Sequence, residues 1–308
     1  MPDPLPRRTL LKSLLALPAT ALAGCAAFDY RAGDAPQALA AVPRLDPAPR
    51  LALVLGSGGP RGYAHIGVLR VLEEAGLVPD LVVGSSVGAL LGVFWASGLD
   101  APEIDRRSWQ GGPLTLFDPN PFADRGWIVG QRLQDYVNAG IGARPLERLP
   151  RRVIVVAAER TSKAPRYFMA GNAGVAVRAS GAMPGIVSPV GIAGVEYEDG
   201  DEAHPVPVSA ARAAGARFVI AVDVTAQRTP DTASAAQRER DRRRRARIVP
   251  EVAQADFLIH PDLPYDAGPF RRYFEAARSI GEQTARAQLP ALQARLAQAR
   301  GAAGPAPG

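Results

Sequence analysis

The sequence predicts an α/β fold, a three-layer α/β/α sandwich with a mostly parallel central sheet. Two observations carry this prediction: short apolar runs ending in glycine alternate with segments of helical periodicity, and the alternation runs through residues 50–300 without an internal repeat. The composition agrees, since 308 residues with 47% hydrophobic and 21% charged residues can bury a sizeable core. We therefore expect one domain over residues 50–300.

The predicted elements follow in a regular order. The apolar run at 50–56 predicts a buried strand, and Ile66, Leu69 and Leu72 recur at helical spacing until Gly76 ends the first helix. The later elements are a strand at 81–83, a helix at 87–96, a helix from Asp100, a helix at 130–139, strands at 152–158 and 165–170, a helix at 173–180, strands at 217–224 and 256–261, and a terminal helix at 269–300. Strands thus alternate with helices, the order expected of a parallel sheet covered on both faces.

The first 25 residues predict an export signal. Arg7 and Arg8 precede an apolar stretch too short to span a bilayer, which is typical of a twin-arginine secretory signal. Residues 22–25 (LAGC) resemble a bacterial lipobox, in which the cysteine is lipidated, and Cys25 is the chain's only cysteine. We expect an exported lipoprotein, anchored to the outer membrane on its periplasmic side. Its predicted parts are a signal peptide at 1–24, the lipidated Cys25 with a flexible tether over 25–49, and a disordered tail at 301–308.

A serine lies between two glycines where the second predicted strand meets the second helix. Residues 84–88 read GSSVG, the G-x-S-x-G pattern of a nucleophile elbow. In such a turn Ser86 adopts a strained backbone, while Gly84 and Gly88 leave room for the strand and helix to approach each other. The N–H groups that begin the helix can stabilise negative charge beside the serine. This setting favours a nucleophile over a structural glycine-rich turn.

The glycine-rich segment GSGGPRG at 56–62 also lies between a strand and a helix. Its bare N–H groups, above all those of Gly58 and Gly59, could hold a phosphate or the oxyanion of an acyl-transfer intermediate. Arg61 either reinforces that positive field or pairs with a carboxylate. A dinucleotide site is disfavoured, because the second strand ends without an acidic residue to bind a ribose. We expect an oxyanion hole that includes Gly58, Gly59 and Arg61.

The residues alone leave open which group would activate Ser86. The chain has three histidines. Asp199 followed by His204 or His260 would satisfy the order of an α/β-hydrolase triad, whereas His65 within the first helix is expected to pack structurally. The sequence holds no histidine and cysteine cluster for a metal, and we expect neither a metal nor a cofactor.

Three stretches together resemble the patatin-like phospholipase family, in its bacterial subgroup: GSGGPRGYAHIGVL, GSSVGALLGVFWASGL and EDGDEAHPVPV. The likeness covers residues 50–290. It implies a three-layer fold and a Ser-Asp dyad without histidine, with Ser86 as nucleophile, Asp199 as its base, and Gly58 and Gly59 as oxyanion donors. The chain departs from the family pattern at Asp201, where the family usually has glycine or alanine, and at His204, where it often has asparagine.

The resemblance implies hydrolysis of carboxylic esters, and the lipoprotein signal favours a phospholipid or lysophospholipid substrate beside a membrane. Two alternatives stay open: a catalytically inactive lipid-binding or scaffold lipoprotein, and a Ser-His-Asp triad esterase. The arginine-rich run at 238–247 either lies on a solvated surface or contacts anionic head groups. Nucleic acid is disfavoured as a partner, since no aromatic platform accompanies the arginines. The sequence does not indicate an oligomeric state.

Overall fold

The computed structural model describes residues 29–30, 35–111, 116–120 and 125–302. The predicted signal peptide, Cys25 and residues 303–308 of the predicted tail lie outside these residues. The strands are β1 Asp29–Tyr30, β2 Ala38–Leu39, β3 Leu51–Leu55, β4 Leu81–Ser85, β5 Arg152–Glu159, β6 Pro165–Phe168, β7 Val190–Ile192, β8 Val195–Glu198, β9 Phe218–Val222 and β10 Phe257–Ile259. The helices are α1 Tyr63–Glu74, α2 Val87–Ala96, α3 Ala101–Gly111, α4 Gln131–Gly140, α5 Ala173–Ser180, α6 Val208–Ala213, α7 Ala235–Val252 and α8 Arg271–Ala302.

These strands form one sheet in the order β1-β7-β8-β5-β4-β3-β9-β10, with β6 bridging β5 and β2. The strands β5, β4, β3, β9 and β10 are parallel, and β6, β7 and β8 add antiparallel pairs on one side. Because parallel strands end at the same edge, the turns that follow β3 and β4 meet there. The mostly parallel central sheet is confirmed, with an antiparallel extension at one edge.

Helices cover both faces of the sheet, which makes the molecule a three-layer sandwich as predicted. In β3, Leu51, Leu53 and Leu55 pack with α1, α2, α5 and α8, whereas Ala52 and Val54 pack with α6 and α7. Successive strand residues point to opposite faces, so an uninterrupted apolar run is what a doubly covered strand requires.

Residues 35–49 fold onto the domain, which corrects the prediction of a flexible tether for this part of the chain. Gln37 N donates a hydrogen bond to Ala170 O at 3.2 Å, next to the pairing of β2 with β6. Val42 is buried in the smaller core cluster. Apolar side chains thus give this proline-rich segment a surface to bury, and packing outweighs its loop-like composition.

The arginine-rich run lies on α7, an 18-residue helix. Ser234 caps it, since its side chain accepts a hydrogen bond from Gln237 N while the Gln237 side chain accepts one from Ser234 N. The helix begins three residues before the charged run at 238–247 and ends five residues after it. In the part of the chain that the structure describes, no helix has the length and apolar character needed to cross a bilayer.

Candidate active site

Ser86 lies in the sharp turn between β4 and α2. Its backbone has φ 55° and ψ −122°, a conformation that costs of order 1–3 kcal/mol in an L-residue. A Cβ on Gly84 would lie 2.4 Å from the Gly88 carbonyl oxygen, and a Cβ on Gly88 would lie 2.0 Å from the Leu55 carbonyl oxygen. Only glycine fits at either position, for the steric reason that the elbow pattern implies. The turn presents Ser86 to a cavity.

A buried serine on a neighbouring helix holds the elbow in place. Ser86 N donates to Ser180 Oγ at 2.8 Å, and Ser180 Oγ donates to Val156 O at 2.5 Å. Ser180 has no exposed surface. The strained turn is therefore fixed by hydrogen bonds to α5 and β5 as well as by its own close packing.

The structure brings Asp199 to Ser86 from 113 positions along the chain. Ser86 Oγ donates to Asp199 Oδ2 at 2.9 Å, and Asp201 N donates to Asp199 Oδ1 at 2.8 Å. Asp199 N donates to Ala182 O at 2.9 Å, which anchors the backbone just after β8. Both carboxylate oxygens are thus engaged, and the one facing Ser86 is positioned to accept its proton.

The surroundings of Asp199 make it a stronger base than an ordinary aspartate. Burial raises the pKa of Asp199 to about 7, and the charge of Asp201 acts in the same direction. The hydrogen bonds from Asp201 N and Ser86 and the charge of Arg244 lower the pKa of Asp199 and oppose this shift in part. A carboxylate that titrates near neutral pH is suited to accept and return a proton at neutral pH.

The glycine-rich loop between β3 and α1 packs directly against the elbow. A Cβ on Gly62 would lie 2.3 Å from Val87 Cγ2, so the loop approaches as closely as a glycine allows. Gly59 lines the same cavity as Ser86 and has a φ of 55°. Within the described residues, the N–H groups of Gly58 and Gly59 have no hydrogen-bond acceptor. Both backbone donors are therefore uncommitted, and Gly59 belongs to the lining that also contains the nucleophile.

The side chain of Arg61 is used elsewhere, which corrects its predicted place in the oxyanion hole. Arg61 Nε donates to Pro264 O at 3.2 Å, and Arg61 Nη2 donates to Tyr265 O. Its guanidinium also lies 5.9 Å from the centre of the Tyr265 ring. Among the described residues, the Arg61 side chain therefore contacts the loop after β10. It is seen neither as an oxyanion donor nor as the partner of a carboxylate.

The three histidines make hydrogen bonds away from the dyad. His204 Nε2 lies 2.9 Å from Glu251 Oε2, and His260 Nε2 lies 3.0 Å from Thr225 O. His65 is fully buried with Nε2 2.8 Å from Gly56 O, and burial lowers the pKa of His65 to about 4. None of these rings makes a hydrogen bond to Ser86 or Asp199.

Ser86, Asp199 and Gly59 share a cavity of about 400 Å³ with apolar walls. The walls come from the helices α1, α2, α3, α4, α5 and α8 and from the segment after α5, and include Leu90, Phe94, Leu133, Ile186, Val187 and Phe274. Asp199 is the one acidic residue among the described residues lining it. A cavity of this kind accommodates a hydrocarbon chain and places its polar end at the dyad.

A second cavity of about 560 Å³ lies on the other side of the segment 182–189 and shares Val187 with the first. Its lining is polar and includes Arg125, Arg160, Lys163, Glu198 and Trp127. Outside the lining, Glu196 binds two of these cations, with Arg125 Nη1 2.5 Å and Arg160 Nη1 2.9 Å from its carboxylate oxygens; Lys163 pairs with Glu198. Three cations thus face two carboxylates around this cavity.

The profile of the patatin-like phospholipase family matches residues 53–212, more than half of the chain. The chain belongs to this family. The matched range contains the glycine loop, the elbow and Asp199, so the family assignment and the observed dyad concern the same residues. The bacterial subgroup suggested by the sequence stays a prediction.

Similar proteins include other members of the patatin-like family. An uncharacterized NTE family protein of Mycobacterium tuberculosis is 36% identical over 183 residues, covering 58% of this chain and 49% of that protein. The human patatin-like phospholipase domain-containing protein 6 is 32% identical over 188 residues, covering 59% of this chain and 14% of that protein. The chain thus spans about half or less of the length of these relatives. VipD from Legionella pneumophila shares the fold, with a TM-score of 0.52 and 14% identity over 78% of this chain and 66% of that one.

Two features of this patatin-like site are absent from the sequence predictions. Ser180, which holds the elbow, lies at the end of the helix predicted over 173–180, to which the sequence assigned no part in the site. Arg244, which binds Asp201, lies within the arginine-rich run. The helical period of α7 could have indicated that one side of this run faces the domain, but not which residue it meets.

Proposed function

We propose that the protein is a serine-dependent lipid acyl hydrolase that cleaves carboxylic esters of phospholipids or lysophospholipids. The observation that carries the proposal is the hydrogen bond of 2.9 Å from Ser86 Oγ to Asp199 Oδ2 in an apolar cavity beside uncommitted glycine N–H groups. A nucleophile, a base and oxyanion donors around one reacting centre are the groups that acyl transfer needs. Membership of a phospholipase family supports a lipid substrate.

In the first half of the proposed reaction, Asp199 accepts the Ser86 proton while Oγ attacks the ester carbonyl carbon. The carbonyl π electrons move to oxygen, where the N–H groups of Gly58 and Gly59 stabilise the negative charge. The tetrahedral intermediate then collapses and the ester C–O bond breaks. The alcohol leaves with the proton held by Asp199, and the acyl group stays on Ser86.

In the second half, Asp199 removes a proton from a water molecule that attacks the acyl-enzyme. The new tetrahedral intermediate uses the same N–H donors, and its collapse returns the proton to Ser86 Oγ and releases the fatty acid. The pKa of Asp199 near 7 suits this exchange, because the same carboxyl accepts and donates a proton in each half-reaction.

The two cavities support a substrate with an apolar and a charged end. In this proposal the acyl chain lies in the apolar cavity and the phosphate-bearing head group in the polar cavity near Arg160 and Lys163. Arginine and lysine side chains bind phosphate oxygens through charge-assisted hydrogen bonds. Glu198 lines the polar cavity and Asp199 lines the apolar one, so the ester would lie at the boundary between them.

Labelling with a fluorophosphonate probe tests the proposed nucleophile. We expect the wild-type protein to be labelled at one residue, Ser86, and Ser86→Ala to lose both labelling and fatty-acid release from phospholipid, by roughly 10⁴-fold or more. Asp199→Asn should lose activity in the same way, because the amide cannot accept the Ser86 proton.

His204→Ala is the matched control for this experiment. His204 is buried beside Glu251 and contacts neither dyad residue, so this variant should keep its labelling and most of its hydrolysis. Loss of labelling in His204→Ala with an intact fold would favour the triad esterase. A wild-type protein that is folded but neither labelled nor active would favour the inactive lipid-binding alternative.

We also propose that the protein is an exported lipoprotein anchored through Cys25 on the periplasmic side of the outer membrane, as the twin-arginine and lipobox patterns suggest. Asp29 and Tyr30 pair with β7, the strand that follows the segment between the two cavities. An extended chain from Cys25 to Asp29 spans at most about 14 Å. The anchor would therefore hold this side of the domain close to the membrane.

Metabolic labelling with a fatty acid tests the anchor. The wild-type protein should incorporate label and sediment with membranes, while Cys25→Ser should lose the label and appear in the soluble fraction after export. Equal incorporation in both proteins would contradict lipidation at this residue and leave the enzymatic proposal untouched.

A further inference from the structure

A charged network of Ser57, Asp201 and Arg244 adjoins the dyad, and none of the three lines the apolar cavity. Arg244 Nε donates to Asp201 Oδ1 at 2.7 Å, and Arg244 Nη2 donates to Ser57 Oγ at 3.0 Å. Ser57 Oγ in turn donates to Asp201 Oδ1. The three side chains connect the glycine loop after β3, the turn after β8 and the helix α7. The reaction steps above use none of them.

We propose that Asp201 and Arg244 act as a pair of positioning residues that hold the Asp199 carboxylate in place beside Ser86 and fix the glycine loop through Ser57. This inference rests on the proposed function. The Asp201 carboxylate is accommodated here by an arginine from another layer of the sandwich.

The first link runs from the pair to Asp199. Asp201 N donates to Asp199 Oδ1 at 2.8 Å, which leaves Oδ2 for Ser86. The charge of Asp201 raises the pKa of Asp199, and the charge of Arg244 lowers it. While Asp201 and Arg244 are paired, their charges shift the pKa of Asp199 in opposite directions. When one partner is removed, the shift caused by the other is no longer opposed.

The second link runs from the pair to the oxyanion donors. Ser57 is 1% exposed, and its N–H donates to Pro205 O at 2.8 Å. Its hydroxyl donates to Asp201 and accepts from Arg244, so both its backbone and its side chain are fixed. Gly58 is the next residue, and the direction of its N–H depends on the peptide that Ser57 holds in place.

Several other charged groups lie around this turn. Glu202 is the next residue along the chain after Asp201. The others have partners: Arg247 with the carbonyl of Asp201, Glu198 with Lys163, His204 with Glu251, and Arg61 with the carbonyls of Pro264 and Tyr265. Asp201 and Arg244 are the charges that act directly on Asp199. Substitutions at these two residues should therefore move the titration of Asp199 in opposite directions.

The pH dependence of kcat/KM for p-nitrophenyl butanoate tests this inference. Hydrolysis needs the ionised carboxylate, so activity falls as the pH drops through the pKa of Asp199, near 7 in the wild-type protein. We call this fall in activity at low pH the acid limb of the profile. In Arg244→Met the uncompensated Asp201 charge should move the acid limb to higher pH by about one unit. In Asp201→Asn the uncompensated Arg244 charge should move it to lower pH by a similar amount. The double variant should lie between the two single variants.

Arg243→Met is the matched control, because Arg243 lies on the same helix but is 72% exposed and pairs with Glu239. Its acid limb should coincide with that of the wild-type protein. The inference would be overturned if the acid limbs of both single variants moved in the same direction, or if neither moved in a folded variant. A purely structural role would change the rates without moving the two acid limbs in opposite directions.

A carboxyl ¹³C NMR titration in the Ser86→Ala background separates this inference from the proposed function. It follows the protonation of Asp199 without catalysis, with Asp199→Asn identifying the signal. Opposed shifts in Asp201→Asn and Arg244→Met would support the pair even if no lipid were hydrolysed. Their absence would refute the pair even if the hydrolase proposal held.

Discussion

The apolar and the polar cavity both border the end of β8 and differ in the charge of their linings. Asp199 is the only acidic residue among the described residues that line the apolar cavity, and most of its wall is leucine, isoleucine, valine and phenylalanine. The polar cavity has three cations and Glu198 in its lining. Glu198 and Asp199 are adjacent in sequence and thus line two chemically different cavities.

This division occurs where β8 ends. Glu198 is the last residue of β8 and lines the polar cavity, whereas Asp199 caps the turn that follows and lines the apolar cavity. The segment 182–189 forms the wall between the cavities, and Val187 contacts both. Under the proposed function, substitutions in one cavity should alter recognition of the acyl chain and substitutions in the other should alter recognition of the head group, and both are tested below.

Leu90→Trp should have the larger effect, because it fills part of the apolar cavity. Leu90 lies on α2, one turn after Ser86, and lines this cavity. Each methylene kept out of the cavity forfeits about 0.8 kcal/mol, so exclusion of three lowers kcat/KM for a long-chain ester roughly 50-fold. We expect this loss for p-nitrophenyl dodecanoate and less than about a threefold loss for the butanoate, measured side by side.

Val78→Trp is the control for this substitution. Val78 is 54% exposed and lines neither cavity, so its enlargement should leave the ratio of the two activities unchanged. Fluorophosphonate labelling of Leu90→Trp shows whether the dyad is intact. An equal loss with both esters would mean that the apolar cavity does not hold the acyl chain.

The parts of this site that depend on local spacing could be predicted from the sequence. Gly84, Ser86 and Gly88 lie within five residues, and their geometry follows from the turn that the spacing requires. The bounds predicted for the second helix and for the helix at 173–180 coincide with those of α2 and α5. Asp199 could be assigned only through the resemblance to a family, because no spacing rule joins residues 113 positions apart.

The structure of α7 shows why the rest could not be predicted. Asp241, Arg244, Ile248 and Glu251 follow one another at steps of three or four residues and form the face that contacts the domain. Their charges conceal this periodicity within a run of arginines, so hydrophobic spacing alone does not reveal the helix. Exposed arginines such as Arg243 are solvated, and one side of the run is structural.

The two shortest strands could not be predicted from the sequence for a different reason. The strands β1 and β2 have two residues each, too few to show an alternation of apolar and polar side chains. Their pairing with β7 and β6 depends on partners that lie more than a hundred residues away. The composition of this segment resembles that of a linker, and only the exposed edges of the sheet make it part of the fold.

The double variant Arg160→Ala with Lys163→Ala should have the smaller effect and act on the other cavity. Both cations line the polar cavity and lie on the hairpin that joins β5 to β6. Loss of their charge-assisted contacts with a phosphate should raise KM for phosphatidylcholine in neutral micelles roughly tenfold. Hydrolysis of p-nitrophenyl butanoate, which has no phosphate, should not change.

The double variant Arg242→Ala with Arg243→Ala removes the same charge from an exposed face of α7, where both residues pair with Glu239. It therefore controls for the general effect of net charge on binding to a lipid surface. A tenfold rise in KM in the hairpin variant and none in the helix variant would assign the head group to the polar cavity. Equal changes in both variants would show that the cations act only through the overall field, and the two cavities would then differ in chemistry without dividing the substrate between them.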